Sequence, residues 1–529
     1  MLIHYLLDDV EQLKLESYRL LITEPSLTFT DLRKSLRLTK NKMTMIINEL
    51  ESDLKDISGE DISLLQADGD TLLMPSDAPI GAIYRQNLLE NSLIIRLFSF
   101  ILTNPEGNLE DFCQENFLSR ATAFRRLTNL QELIAPYHLK LNTSQLQLTG
   151  KELAVRHFLG TLFWSIKPDL ATHYPLNDSL IDPLIDDVVA TFDEQMAYGN
   201  RNQIDLFLRI AELRRQGGYF VEPGLTSNDF PLCEDVWQTH HQNFSAYLAR
   251  TTPSKFVAAE EMAFYFQIYT GALYARVDTP SYIAYREWMK QQSEIQMIIS
   301  DFGDKLLSNF FDRRPPEHFD VLMANIMGTF NLSYLLKDTP SLNYMFFESS
   351  LRADTPVFLE IETFNRRFFQ NVARKKDFQW LKPVYPQLAS LFAYFLLPTF
   401  NTQLATKKLR IAVTNENNFV LILPLHSFLE TVPYVDYVPY PEDGQEEIDL
   451  LISPHTNFLP EGYNGPVYLY SYRDVQDDFI HLRSLLEKLH LQKCFGKKCT
   501  MRPDSKEELF NGIRGFTPRQ LRRSPSSHS

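Results

Sequence analysis

Phe117-Leu-Ser-Arg-Ala-Thr-Ala-Phe-Arg-Arg-Leu-Thr-Asn-Leu130, FLSRATAFRRLTNL, holds three arginines and no acid in a chain of formal charge −15. Ser119, placed before apolar residues at helical spacing, reads as an N-cap opening an amphipathic helix over 120–135. Upstream, Asn108 and Asp111 have the spacing of an N-cap and an acid at the third helical position, so a shorter helix is expected to end before a turn containing Leu118.

The same signals stand 80 residues earlier, without a gap. Thr28-Phe-Thr-Asp-Leu-Arg-Lys-Ser-Leu-Arg-Leu-Thr39 lies over Asn108-Leu-Glu-Asp-Phe-Cys-Gln-Glu-Asn-Phe-Leu-Ser119, pairing Thr28 with Asn108, Asp31 with Asp111 and Thr39 with Ser119. An apolar helix precedes each copy, Val10 to Thr23 and Ile80 to Thr103. A hairpin pattern follows each: Ile62 to Met74 with Asp68-Gly69 as its turn, and Leu139 to Leu148 closed by Thr149-Gly150. Three helices and a hairpin, with a tight turn between the second and third helices, predict a winged helix-turn-helix, given twice.

At 100° per residue, Phe124, Leu127, Gln131 and Ile134 share the inner side of the second copy's last helix, with Leu130 at the margin. Thr122, Arg125, Arg126 and Asn129 project opposite. In the first copy Met43, Ile47, Leu50 and Leu54 point inward, and Asn41, Lys42, Met45 and Asn48 outward. With Lys40, Ser119 and Arg120 at the helix starts, these outward polar residues are candidate DNA contacts. Arginine grips guanine or phosphate bidentately, and asparagine reads adenine. A solvated helix face is the competing reading. Two copies in register, each with caps, a hairpin and a second helix that opens without an acid, favour DNA, although Met45 on the outer face of the first and Glu49 and Glu51 just beyond suit a packing surface as well.

Composition bounds the rest. Of 529 residues 44% are hydrophobic and 12% aromatic, which excludes a disordered chain. Length suggests roughly three to five domains. Four cysteines, Cys113, Cys233, Cys494 and Cys499, are too few and scattered for a disulfide framework and fit a reducing cytosol. The N-terminus lacks the basic and small-residue features of a signal peptide. The longest uncharged apolar run, Leu388 to Phe400, is too short to span a bilayer. A cytoplasmic protein with no membrane partner is expected. Net acidity argues against nucleic acid across the whole surface, not at one patch.

From Leu153 to Pro398 the chain reads as amphipathic helices, with candidates at 151–166, 179–196, 203–214, 231–249, 256–275, 280–298, 301–311, 317–336, 357–374 and 383–397. Phosphate-binding, nucleophile-elbow and metal-protease motifs are all missing, so neither an enzyme nor a cofactor is expected. His240, His241 and His318 stand on candidate helices. Imidazole accepts phosphoryl groups as a nucleophile; a structural or exposed histidine is the plainer reading. After Lys408, strands at 409–414, 434–440, 448–452 and 466–471 with helices at 419–429 and 475–491 predict a small α/β module with a parallel sheet. The loop 415–418 has no cysteine, which excludes a phosphocysteine there. Cys494, Cys499 and His490 lack a fourth ligand, so no metal site is expected.

The fold class predicted is therefore mainly α and multidomain. A first winged helix-turn-helix occupies 1–75, a second 76–165, helical modules 166–288 and 289–402, the α/β module 403–495, and a basic, disordered tail 496–529. This order resembles the Mga/RofA family, stand-alone transcriptional regulators of Gram-positive bacteria. Asn108 to Leu130, above all ENFLSRATAFRRL, is similar to the family's second helix-turn-helix, and IDLLISPHTNFLP to a strand and loop of its C-terminal module. The resemblance implies that the helical modules are PTS regulation domains (PRDs), phosphorylated on histidine by phosphotransferase-system phosphocarrier proteins. It implies an IIB-like C-terminal module, a homodimer, and activation of virulence, surface-protein or sugar-responsive genes at promoter DNA. Gln216 stands about where some relatives carry a regulatory histidine. Two alternatives stay open: an RNA-binding antiterminator with the same regulation domains, which would begin with an all-β module, and a phosphotransfer component.

Overall fold

Asp8 starts the first long helix, α1 (Asp9–Thr23), through a capping box. Its Oδ1 accepts the Val10 and Glu11 amides at 2.8 and 2.7 Å, and the Glu11 carboxylate accepts the Asp8 amide at 2.7 Å. α2 (Phe29–Ser35) and α3 (Lys40–Ser58) follow, and Gly59 ends α3 in the left-handed conformation. The wing reverses at Gly69, where Asp68 accepts the Asp70 and Thr71 amides at 3.0 and 2.8 Å. Asp70 then returns to α2: its carbonyl accepts the Phe29 amide at 2.7 Å and its carboxylate the Thr30 amide at 3.0 Å. The computed structural model describes residues 5–24, 27–74, 81–166, 182–186, 198–226, 229, 244–271, 277–278, 280–290, 293–337, 339, 356–404, 407–414, 419–438, 440, 448–460, 463–470 and 475–495.

The second unit repeats this plan with one correction. The expected single helix over 80–103 is two, α4 (Gly81–Glu90) and α5 (Leu93–Thr103). Ser92 is buried and turns its hydroxyl to the Ile95 amide at 3.4 Å, restarting the chain as an N-cap instead of continuing the helix. α6 (Leu109–Glu115) and α7 (Arg120–Ile134) form the helix-turn-helix, and β1 (Lys140–Asn142) pairs antiparallel with β2 (Gln147–Thr149). The reversal lies at 143–146, where Asn142 Oδ1 accepts the Ser144 and Gln145 amides at 3.1 and 3.3 Å. Leu32, Leu50, Phe98, Phe112, Leu130 and Leu148 belong to one continuous core.

α8 (Glu152–Ile166) is buried along nearly its whole length. α9 (Tyr198–Gln216) packs so closely on it that a Cβ at Gly160 would stand 1.9 Å from the Phe207 ring. α10 (Val257–Gly271), α11 (Pro280–Met289), α12 (Ser293–Phe310), α13 (Phe319–Leu336), α14 (Pro356–Val372) and α15 (Tyr385–Leu404) continue the helical run. The helix expected to stop at 397 passes through Pro398. Phe400 beyond it is buried against Phe310 and Phe311, each with ring centroids 4.9 Å away, and that packing offsets the proline's lost bond.

β3 (Leu409–Val413), α16 (Phe419–Glu430), β4 (Val435–Tyr437), β5 (Leu450–Ser453), β6 (Val467–Leu469) and α17 (Val475–Phe495) complete the described chain. The four strands are parallel in the order β4-β3-β5-β6. Every residue of β5 is buried, which is why this strand carries the unbroken apolar run Leu450-Leu-Ile452 in place of a polar alternation. The loop 415–418 lies outside the described residues. The protein is thus mainly helical with a small sheet region. It gathers into two compact units, one of residues 1–299, 323–351 and 369–391, the other of 300–322, 352–368 and 392–529.

Candidate nucleic-acid interface

The two helix-turn-helix turns are built alike. Arg37 and Phe117, 80 residues apart, both take φ of 53°. The Leu38 amide reaches the Arg33 carbonyl at 3.0 Å, and the Leu118 amide the Cys113 carbonyl at 2.9 Å. Thr39 Oγ1 then accepts the Lys42 amide at 3.3 Å, and Ser119 Oγ the Thr122 amide at 3.1 Å, so each second helix has its own N-cap. A further pair in register holds the wings. Glu51 accepts the Leu64 amide at 2.7 Å, and Gln131 donates to the Leu141 carbonyl at 2.7 Å.

On α7 the buried arc is Ala123, Leu127, Leu130, Leu133 and Ile134. Phe124 is not in it: the ring is 55% exposed, correcting its assignment to the inner side. Arg126 is corrected the other way. Its guanidinium turns inward to the Asp8 carboxylate at 2.5 Å, with 18% of the side chain exposed, so it ties α7 to the start of α1. The buried arc is rotated toward 123 and 133 relative to the expected one, and Arg126 on that flank meets Asp8 of the first unit.

Arg120 and Arg125 are exposed, and neither has an ion-pair partner among the described residues. Ser119 and Thr122 share a hydroxyl contact of 2.8 Å within the cap. Asn129 lies in α7, but its side chain is outside the described residues. Ala121 and Thr128, whose residue types carry no signal of their own, complete the exposed face with Phe124. On α3, Lys40, Asn41 and Asn48 are exposed and Lys42 half-buried; Met45 is partly exposed. The acids that follow turn away from this face: Glu51 to the wing, Glu49 toward Lys14 at 3.9 Å.

His318 precedes α13 with φ of 60°, and its exposed ring stands 3.4 Å from the Glu317 carboxylate. His240 and His241 lie outside the described residues. Among the described residues no group of histidine, cysteine and acidic side chains could hold a metal ion, and no helix is long and apolar enough to cross a membrane.

Two helix-turn-helix turns, each with a capped second helix and a docked wing, define a winged-helix architecture. The family model of the Mga helix-turn-helix domain matches residues 82–163, α4 through most of α8. The chain carries that domain and is a DNA-binding transcriptional regulator by it; the likeness to Mga-type regulators holds over this segment. No curated protein matches the chain.

Proposed function

We propose that the protein lays α7, and with it α3, into major grooves of promoter DNA and activates transcription there as a cytoplasmic homodimer. The observation that carries this reading is the exposed, acid-free start of α7, where Arg120 and Arg125 have no ion-pair partner among the described residues. The phosphate backbone is the natural counterion for such a pair. Helices rather than an all-β module stand first, which supports duplex DNA over RNA. The boundaries 1–75, 76–165, 166–288, 289–402 and 403–495 remain our proposal for its modules, with regulation by phosphotransferase phosphocarriers through the two helical ones.

Arg125→Ala is expected to weaken binding to duplex DNA and to lower the slope of log affinity against log salt by about one. Gel shifts across a salt series measure both. An unchanged slope would remove Arg125 from the interface. Arg126→Ala instead breaks the Asp8 pair, so it belongs in a stability measurement. For phosphorylation, mass spectrometry after incubation with a phosphorylated phosphocarrier protein is expected to find the label on His240, His241 or His318. A chain that stays unlabelled would dismiss phosphate control.

A further inference from the structure

We propose that Phe124 reads the 5-methyl group of a thymine in the major groove, making it a specificity-determining residue of the second winged unit. The inference rests on the DNA-binding reading above and goes beyond it to what one side chain recognises.

The first two turns of a recognition helix meet base edges. On α7 those turns expose Arg120, Ala121, Phe124 and Arg125, with Thr128 just beyond them. Single exposed apolar residues are ordinary on protein surfaces. This one is set apart by its neighbours: Arg120 stands one turn before it and Arg125 beside it, both exposed and without an ion-pair partner among the described residues. Two cations that hold phosphates would carry the ring between them toward the groove floor. A phenyl ring makes no ordinary hydrogen bond, so the donors and acceptors of the other bases' edges would lose water against it without a partner in return. Thymine alone presents a methyl group in the major groove. The Thr128 hydroxyl is bonded to the Phe124 carbonyl at 3.1 Å, leaving the adjoining surface less polar than its sequence suggests. The first unit cannot duplicate the contact with an aromatic: 80 residues earlier stands Thr44, whose hydroxyl is bonded to the Lys40 carbonyl at 3.1 Å.

Deoxyuridine, which differs from thymidine by this methyl group alone, is the probe. The full-length chain would select duplexes from a randomised library. The selected sequence would then be resynthesised with uracil replacing each thymine in turn. The expected result is about a fourfold loss of affinity at one or two thymines. That corresponds to the ~0.8 kcal/mol of one buried methyl-sized group, converted at 1.4 kcal/mol per tenfold. Phe124→Ala should bind the thymine and uracil duplexes within twofold of each other, with its salt slope unchanged. Phe124→Leu should keep part of the discrimination. Equal binding of both duplexes by the unsubstituted chain overturns the proposal while leaving DNA binding intact. Discrimination that survives in Phe124→Ala also overturns it, and assigns the methyl contact to another residue. Failure to select any duplex overturns this inference together with the DNA-binding reading.

Discussion

Glu260→Ala is expected to destabilise the first compact unit by about 3–5 kcal/mol, the cost of leaving a buried charge without its partner. Glu260 is 1% exposed. Its carboxylate accepts Arg156 Nη1 and Nη2 at 2.6 and 2.9 Å, the Val221 amide at 2.8 Å and Arg215 Nη1 at 3.4 Å. Without it Arg156 keeps Glu152 at 2.9 Å and the Tyr219 carbonyl at 3.0 Å, with its terminal nitrogens still buried. The damage should reach the DNA-binding unit. Glu152 also holds Arg214, which donates to the Leu148 carbonyl of β2 at 3.3 Å and lies 3.8 Å over the Tyr219 ring. Urea unfolding should show a lower midpoint and an unchanged slope. A paired change, Arg156→Met with Glu260→Leu, removes both charges and should cost far less than Glu260→Ala. If the pair is as damaging as the single change, the lost hydrogen bond to Val221, not an orphaned arginine, sets the cost.

The charges of that network are also the part of the fold that the sequence conceals. Glu212, Arg214 and Arg215 in AELRRQGG have the composition of a solvated helix face, yet all three are buried. Arg214 pairs with Glu152, and Arg215 reaches Glu260 as well as Glu212; the pairings to residues 152 and 260 span separations that leave no periodic trace. The helix-turn-helix was legible for the opposite reason. Caps at Thr28, Thr39, Asn108 and Ser119 act over three residues, so the order of letters carries them directly. α7 lies between these cases. Its amphipathic period was plain, but Phe124 and Arg126 stand on the two borders of the buried arc. Asp8, more than a hundred residues away, decided which of them turned inward. A hydrophobicity argument alone chooses the phenylalanine; the ion pair chooses the arginine.

Two titrating groups, the half-buried Glu11 and the buried His157, should give opposite pH dependences. Glu11 lies where α1 and α3 of the first winged unit meet α4 of the second. Lys14 is buried there, 2.7 Å from Asp53, and the Tyr84 hydroxyl donates to Asp53 at 2.8 Å. Burial raises the Glu11 carboxyl to about 7, with Lys14 and Arg96 opposing and Asp53 and Glu49 adding to the rise. Between the unfolded value of 4.5 and about 7, the folded chain therefore holds a proton that the unfolded chain releases. Stability falls as pH rises through that window, by roughly 3 kcal/mol. His157 is the mirror case. Burial lowers it from 6.5 to about 4, partly offset by Gln267, and its ring meets Phe266 edge-on at 5.9 Å. The unfolded chain takes up the proton first, so stability is full above 6.5 and is lost as pH falls toward 4, again by roughly 3 kcal/mol. Glu11→Gln keeps an oxygen for the Asp8 amide and removes the half-buried charge. It should be more stable than the parent above pH 7 by roughly 3 kcal/mol, with the gain vanishing below pH 4.5. His157→Phe should lose the acid weakness and grow more stable as pH drops from 7 toward 4.5. Urea midpoints at pH 7.5 and pH 5 distinguish the three chains. A profile for either variant that runs parallel to the parent's would show that the group it replaces does not titrate differently on folding.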